Sequence, residues 1–410
     1  MTRVVVTGMG IISPIGETVE EFWSRLTAGR SGIQAVTAFD TMNLPVRIAG
    51  LVPAFDPKQY MDKKTAQHSS RFVQFAMAAA SQAVLDAKIA FDQLDPYRVG
   101  VVMNTGAGGM QDIAWGSQVL RERGVQHINP YLVPSLIPNM GACQVAIRYG
   151  AKGPVIASTA ACAAGIYALI EARRHLLSGE ADVIIAGAAE AALMPLTFGG
   201  LARMGALSRR NDEPTRASRP FDRDRDGFVF GEGSGALVLE REEDARARGA
   251  HIYAELAGGA ITNDAYHMAA PDPSAEPQAR AMEQALKQAQ TDISEVGYIC
   301  AHGTGTVLND AVETKAIKLV FGSSAYDVPI SSPKSMVGHL LGAAGMISAV
   351  TAIQTLRTGT IAPTINLETP DPQCDLDYVP NVSRRQKVDM VMANGFGFGG
   401  QNGVVVFRKV

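Results

Sequence analysis

The sequence predicts an α/β protein built as two similar halves, each a mixed sheet covered by helices, and three observations lead there. A glycine-rich segment with a following apolar strand, residues 227–239 (GFVFGEGSGALVL), is echoed by residues 395–407 (GFGFGGQNGVVVF). A strand ending in a small-residue turn, residues 100–109, is echoed by residues 297–306, and a strand–turn–helix unit around Cys162 is echoed by residues 328–356. The three units keep one order in both copies, the signature of an internal repeat. Alternation of strands and helices within each copy argues for mixed sheets with helical cover. The joint falls near residues 248–250, giving halves of residues 1–250 and 251–410.

Taken in order, residues 3–7 read as a strand, and residues 8–13 (GMGIIS) as a turn that packs closely on its neighbours. A dinucleotide fingerprint there requires a third glycine and an acid after the next strand, and both are missing. Residues 71–87 form an amphipathic helix with Phe72, Phe75, Ala76, Ala79 and Ala83 on one face. Residues 98–104 are a strand that delivers the loop at residues 105–109, whose small residues permit close approach by a ligand or another backbone.

A lone cysteine then stands where a short apolar strand turns into a helix. Residues 154–157 supply the strand, and Ile166, Leu169, Ile170, Leu176 and Leu177 recur at helical spacing until Gly179. Cys162 is therefore expected at a helix N-terminus, where unpaired N–H groups and the dipole favour a nucleophilic thiolate. Ala160, Ala161, Ala163 and Ala164 leave room around it. Residues 181–187 return as a buried strand.

Residues 222–227 (DRDRDG) open like a calcium loop, but Glu232 is the eleventh residue and Gly233 the twelfth, where a bidentate glutamate is required. A charged turn before a strand is the better account. A new strand begins the second half at residues 252–256. Of seven histidines, His302 and His339 stand at strand ends equivalent to those that frame the cysteine. A helix is expected to begin near His339, its dipole keeping the ring a neutral donor suited to polarising a carbonyl. The other five histidines receive no catalytic role.

Composition excludes several classes. With 410 residues, 47% of them hydrophobic, the chain can bury a large core, and a net charge of −3 argues against a nucleic-acid partner. The four cysteines, at 143, 162, 300 and 374, lack CxxC spacing, which argues against a zinc site or a disulfide framework and fits a reducing cytoplasm. The first residues read as a strand rather than a secretion signal. No apolar run reaches membrane-spanning length, since residues 183–193 carry Glu190.

Cys162, the His302-Gly303-Thr304 loop, the run from Lys334 to His339 and residues 395–400 together resemble the elongating β-ketoacyl-acyl-carrier-protein synthases, most closely the type II enzymes of fatty acid synthesis. The similarity extends over the whole chain, including Ser218-Arg219-Pro220, Asp226-Gly227-Phe228 and residues 363–367. The resemblance implies the thiolase-like fold, a five-layered αβαβα arrangement, a homodimer, and a decarboxylative Claisen condensation that lengthens an acyl chain by two carbons. It implies acyl and malonyl carrier-protein substrates, with neither cofactor nor metal. By the same resemblance, Cys162 carries the acyl group, its own N–H and that of Phe398 form the oxyanion hole, and His302 and His339 donate to the malonyl carbonyl. Lys334 supports the histidines with Asp310 and Glu313. Thr304, Thr306 and Phe228 sit at substrate-binding positions, and Phe398 is the gating aromatic. Ala107, and after it Leu201, are expected on the acyl-pocket wall.

Several positions depart from the family pattern. Ser348 replaces a glutamate, Pro333 and Val337 replace threonines, and Gln67 and His68 replace cations on the carrier-facing surface, leaving Lys63 and Lys64. Within the resemblance, a catalytic polyketide ketosynthase is the alternative. A chain-length partner normally lacks the cysteine, and a thiolase needs a second cysteine near the C-terminal glycine loop, where this chain has none after Cys374.

Overall fold

The computed structural model describes residues 2–410. Ten strands carry the frame: Val4–Ile12 (β1), Val99–Asn104 (β2), Val155–Ile156 (β3), Val183–Glu190 (β4), Gly233–Arg241 (β5), Ala254–Asn263 (β6), Tyr298–Cys300 (β7), Ile330–Ser331 (β8), Met390–Gly397 (β9) and Gln401–Arg408 (β10). Their spatial order is β3-β2-β4-β5-β1 followed by β6-β10-β9-β7-β8, so the two groups of five mirror each other about the β1–β6 seam, each strand matched by the one numbered five higher. The hydrogen-bonding sense repeats as well. β2 runs parallel to β3 and β4 as β7 does to β8 and β9, while β4–β5 and β9–β10 are antiparallel. The two five-stranded halves meet where β1 and β6 pair antiparallel at Val5–Glu255 and Val6–Ala254.

Seven helices complete the layers: Arg71–Ala87 (α1), Met110–Arg123 (α2), Met140–Tyr149 (α3), Ala164–Leu177 (α4), Glu276–Ala289 (α5), Val307–Phe321 (α6) and Ala344–Thr358 (α7). Alternating side chains of each strand enter different cores, as the period of two requires. Leu237 and Leu239 of β5 and Val405 and Phe407 of β10 share one core with Ile166 and Leu169 of α4 and Met346 and Ile347 of α7. Val238 instead meets Phe72 and Phe75 of α1, and Val406 meets Met282 and Leu286 of α5. Helix, half-sheet, central helix pair, half-sheet and helix therefore follow one another as five layers. Burial on both faces explains why the strands read as near-continuous apolar runs.

The glycine segment after residue 7 differs from expectation: β1 runs straight through to Ile12, with a bulge between Val6 and Gly8 opposite β5. The glycines there bring helix and strand together rather than turn the chain. A Cβ on Gly10 would collide with the carbonyl of Ala79 in α1 and lie 2.8 Å from the amide nitrogen of Ala83. Gly10→Ala is expected to lower stability by about 1–3 kcal/mol, seen as a fall in Tm with the activity per folded molecule little changed. The charged turn at residues 222–226 spends its carboxylates on the chain itself, Asp222 accepting from the amides of Asp224, Glu368 and Thr369, and Asp226 from that of Arg209.

Candidate active site

Cys162 lies in a 3-10 turn, Ala161–Ala163, between β3 and α4, two residues before the helix begins. Ala161 adopts φ +45°, a left-handed conformation uncommon for a residue with a Cβ. The same feature recurs at the equivalent place in the second half, where Leu341 has φ +42° in the turn Leu341–Ala343 ahead of α7. Backbone strain of this kind persists only where the surroundings enforce it. Gly342 thus occupies the pseudo-symmetric counterpart of the cysteine position.

The expectation of a thiolate is corrected by burial. Desolvation pushes the Cys162 thiol up to about 12, assisted by the charge of Glu190, against the pull of Lys334 and of the N–H groups of Phe398 and Cys162 itself. Only Ala163 separates the cysteine from the helix start, and the dipole there does not offset full enclosure.

Both histidines come from the second half. His302 follows β7, and its ring centroid lies 5.4 Å from that of His339, the two planes at 85°. Phe396 flanks His302 and Phe228 flanks His339, ring centroids 5.7 and 5.1 Å away. His339 does not begin a helix, which corrects the expectation: it pairs through its backbone with Phe230, and α7 starts at Ala344. Burial first, and then the Lys334 cation, hold both imidazoles well below the ordinary histidine range. Both rings are therefore neutral, though desolvation and a neighbouring cation are the cause rather than a helix dipole.

Behind the rings, the Lys334 ammonium donates to the carbonyl of His302 at 2.5 Å. Glu313 accepts from the amides of His302 and Gly303 at 2.8 and 2.7 Å and from Asn394 at 3.0 Å. Asp310 accepts from the amides of Thr304, Gly305 and Phe221. Burial raises both carboxyls and lowers Lys334 from their ordinary values. The loop from His302 to Gly305 is thus held by two buried acids at its amides and one buried cation at a carbonyl. Ser348 is buried, its hydroxyl beside the Cys300 thiol.

A cavity of about 320 Å³ is lined by Cys162, His302, His339, Phe228, Thr304 and Thr306, with Phe398 closing one side. Phe398 is 37% exposed and precedes Gly399 and Gly400, both at positive φ. Ala107 and Leu201 are not brought to this cavity. They pack against the neighbouring apolar cluster that holds Phe198, Phe228 and Phe230, of which Phe228 also lines the cavity. Two residues of the site carry no sequence signal of their own. Arg225, buried, donates to the carbonyls of Thr306 and Val307 and pairs with Asp371 at 2.5 Å, and Glu190 ends β4 beside the cysteine turn.

Two α/β halves about a pseudo-twofold, whose strand ends bring one sulfur against two neutral imidazoles, follow the plan of the thiolase-like ketosynthases. Within that class the chain belongs to the β-ketoacyl synthase family: residues 1–245 match its N-terminal domain and residues 253–368 its C-terminal domain. A 3-oxoacyl-[acyl-carrier-protein] synthase 2 of Synechocystis sp. is 47% identical over 407 residues, spanning 99% of this chain and 98% of the relative. Among solved structures, a type II polyketide ketosynthase bound to its acyl carrier protein and a hexaketide superposes with TM-score 0.91 at 39% identity, each chain fully covered. The ishigamide ketosynthase/chain length factor superposes with TM-score 0.94 at 36% identity, over 100% of this chain and 99% of that one.

Proposed function

We propose that this chain is an elongating β-ketoacyl-[acyl-carrier-protein] synthase that condenses an acyl-enzyme with a malonyl carrier thioester, lengthening a fatty acyl chain by two carbons. The observation that carries the reading is the convergence of Cys162 with His302 and His339 in one cavity, in a chain 47% identical to a 3-oxoacyl-[acyl-carrier-protein] synthase 2. The halves at residues 1–250 and 251–410 supply the sulfur and the imidazoles respectively.

Chemistry follows from the groups present. Cys162 attacks the thioester carbonyl, its proton leaves with the departing thiol, and the oxyanion faces the N–H groups of Cys162 and Phe398. Malonyl decarboxylation then releases carbon dioxide and leaves its electron pair in an enolate. Neutral His302 and His339 donate to the enolate oxygen, where a charged ring would be costly to maintain. The carbanion attacks the acyl-cysteine, the carbon–sulfur bond breaks, and Cys162 regains a proton. Thr304 and Thr306, joined at 2.9 Å, line the approach for pantetheine. Ala107 and Leu201 would extend the acyl wall through the apolar cluster that Phe228 shares with the cavity.

A carrier protein is the donor, as it is the partner of the 39% identical ketosynthase, and Lys63 and Lys64 are exposed on a short helix to meet an acidic one. The functional unit is a homodimer: α2, the segment after it, α3 and β3 pack in series and expose Ile113, Trp115, Leu120, Tyr131, Val133 and Val155 beside the free edge of β3. Four free thiols fit the cytoplasm, and among the described residues no helix is long and apolar enough to cross a membrane. Mixing the protein with a saturated acyl carrier thioester should give an intact-mass increase equal to the acyl group, mapped to Cys162 and discharged by malonyl carrier protein. An adduct elsewhere, or none, would sink the assignment. A polyketide ketosynthase would instead extend a β-ketoacyl chain repeatedly without intervening reduction, which the same assay with an acetoacetyl carrier distinguishes.

A further inference from the structure

Glu190 is fully buried at the end of β4, and none of the steps above uses it. One carboxylate oxygen, Oε2, accepts from the amide of Gly106 at 2.9 Å and from the amide of Gly342 at 3.0 Å. Those donors belong to different halves of the molecule, the turn after β2 and the turn that mirrors the cysteine elbow. The other oxygen, Oε1, faces the Thr105 hydroxyl at 3.4 Å. The three backbones are fitted to one another around the carboxylate. A Cβ on Gly106 would lie 2.7 Å from Oε2, 3.2 Å from the amide nitrogen of Gly342 and 3.4 Å from the carbonyl of Ala161, the strained residue before the nucleophile. A Cβ on Gly342 would collide with the amide of Gly106.

We propose that Glu190 is a positioning residue for acyl loading, a clamp that joins the Thr105–Gly106 turn to the Leu341–Gly342 turn and thereby fixes the elbow that presents Cys162. It touches no reacting atom. The role rests on the reading of Cys162 as the acyl acceptor, and it accounts for a buried acid next to a thiol whose ionisation it opposes. Burial raises the Glu190 carboxyl to about 7, against the pull of the amides of Gly342, Gly106 and Ala107 and of the Thr105 hydroxyl, so it carries its charge in the alkaline range where the Cys162 thiol titrates. The titratable and charged groups sharing the site are Cys162, Lys334, His302, His339, Asp310 and Glu313.

Geometry and charge separate in two variants. Glu190→Gln can still accept both amide bonds on its single oxygen but carries no charge, whereas Glu190→Ala loses both. Acyl loading is followed by intact mass with an acyl carrier thioester, and iodoacetamide alkylation of Cys162 is followed by peptide mass across pH. E190A should load at least about tenfold more slowly than wild type, and E190Q should restore most of that loss while shifting its alkylation profile to lower pH. Wild-type loading by E190A, or E190Q as slow as E190A with an unmoved alkylation profile, would overturn the clamp. Alkylation needs no acyl substrate, so its outcome bears on Glu190 alone, whereas failure of the wild-type protein to load would count against the condensing reading instead.

Discussion

Cys162→Gln is expected to lose condensation by a factor on the order of 10⁴ or more, as removal of a covalent nucleophile does elsewhere, while still releasing carbon dioxide from malonyl carrier protein. The two activities separate because they use different halves of the cavity. The sulfur comes from the turn before α4, whereas the enolate oxygen would be met by His302 and His339, held from behind by Lys334, Asp310 and Glu313. None of those contacts runs through the Cys162 side chain. The pH dependence has a definite sign as well. Both imidazoles lie well below their ordinary value of 6.5, so they stay neutral as pH falls through that value. Decarboxylation by the variant should therefore hold its rate through pH 6 instead of losing half of it near 6.5. A titration with a midpoint near the ordinary histidine value would show the rings to be hydrated, and loss of decarboxylation in a folded C162Q protein would remove the two-donor enolate.

What could be read from sequence was whatever repeats. The paired segments 227–239 and 395–407 align as β5 and β10, and residues 100–109 and 297–306 as β2 and β7 with their turns. That correspondence is what sends His302, His339 and Cys162 toward one place, because equivalent strand ends face each other across a pseudo-twofold. Helix α1 was legible to the residue, since Phe72, Phe75, Ala76, Ala79 and Ala83 face β1 at helical spacing. Other features depend on contacts distant in sequence and leave no local trace. Gly8 and Gly10 read as a turn because their need is steric, a helix crossing more than sixty residues away in sequence. The thiolate expected at Cys162 followed from a helix terminus, and the enclosure that outweighs it comes from residues distant in sequence in both halves, Phe228 and Phe398 among them. The resemblance puts Ala107 on the acyl wall; in the fold it packs with Phe198, Phe228 and Phe230, which come from segments ninety or more residues further on. Glu190 ends an apolar run and marks only the absence of a membrane span, until the amides of Gly106 and Gly342 are seen to point at it.

Glu313→Gln should cost about 3 kcal/mol of stability, because it breaks a buried arrangement from one side. Glu313 now satisfies three donors with two oxygens: the amide of His302, the side chain of Asn394 and the amide of Gly303. A glutamine can serve the first two, but its amide nitrogen then faces the N–H of Gly303, donor against donor. Lys334 also loses a counter-charge that offsets part of its desolvation. Two slopes in stability against pH follow from the directions of shift. The Glu313 carboxyl is raised above 4.5, so the native state binds a proton that the unfolded chain releases, and wild-type stability falls as pH rises through that window. Lys334 is lowered below 10.5, so the unfolded chain binds the extra proton, and stability rises with pH between the lowered value and 10.5. The variant removes the first contribution and, by leaving Lys334 without its acid, widens the second. Its Tm deficit relative to wild type should therefore shrink as pH rises toward 10.5. Serine at 348 supplies no carboxylate to take over, so added potassium should not restore the lost stability. A deficit that stays constant with pH would mean that Glu313 acts only as a hydrogen-bond acceptor for the His302 loop, and recovery in potassium would mean that a cation bridges the network where the family glutamate would stand.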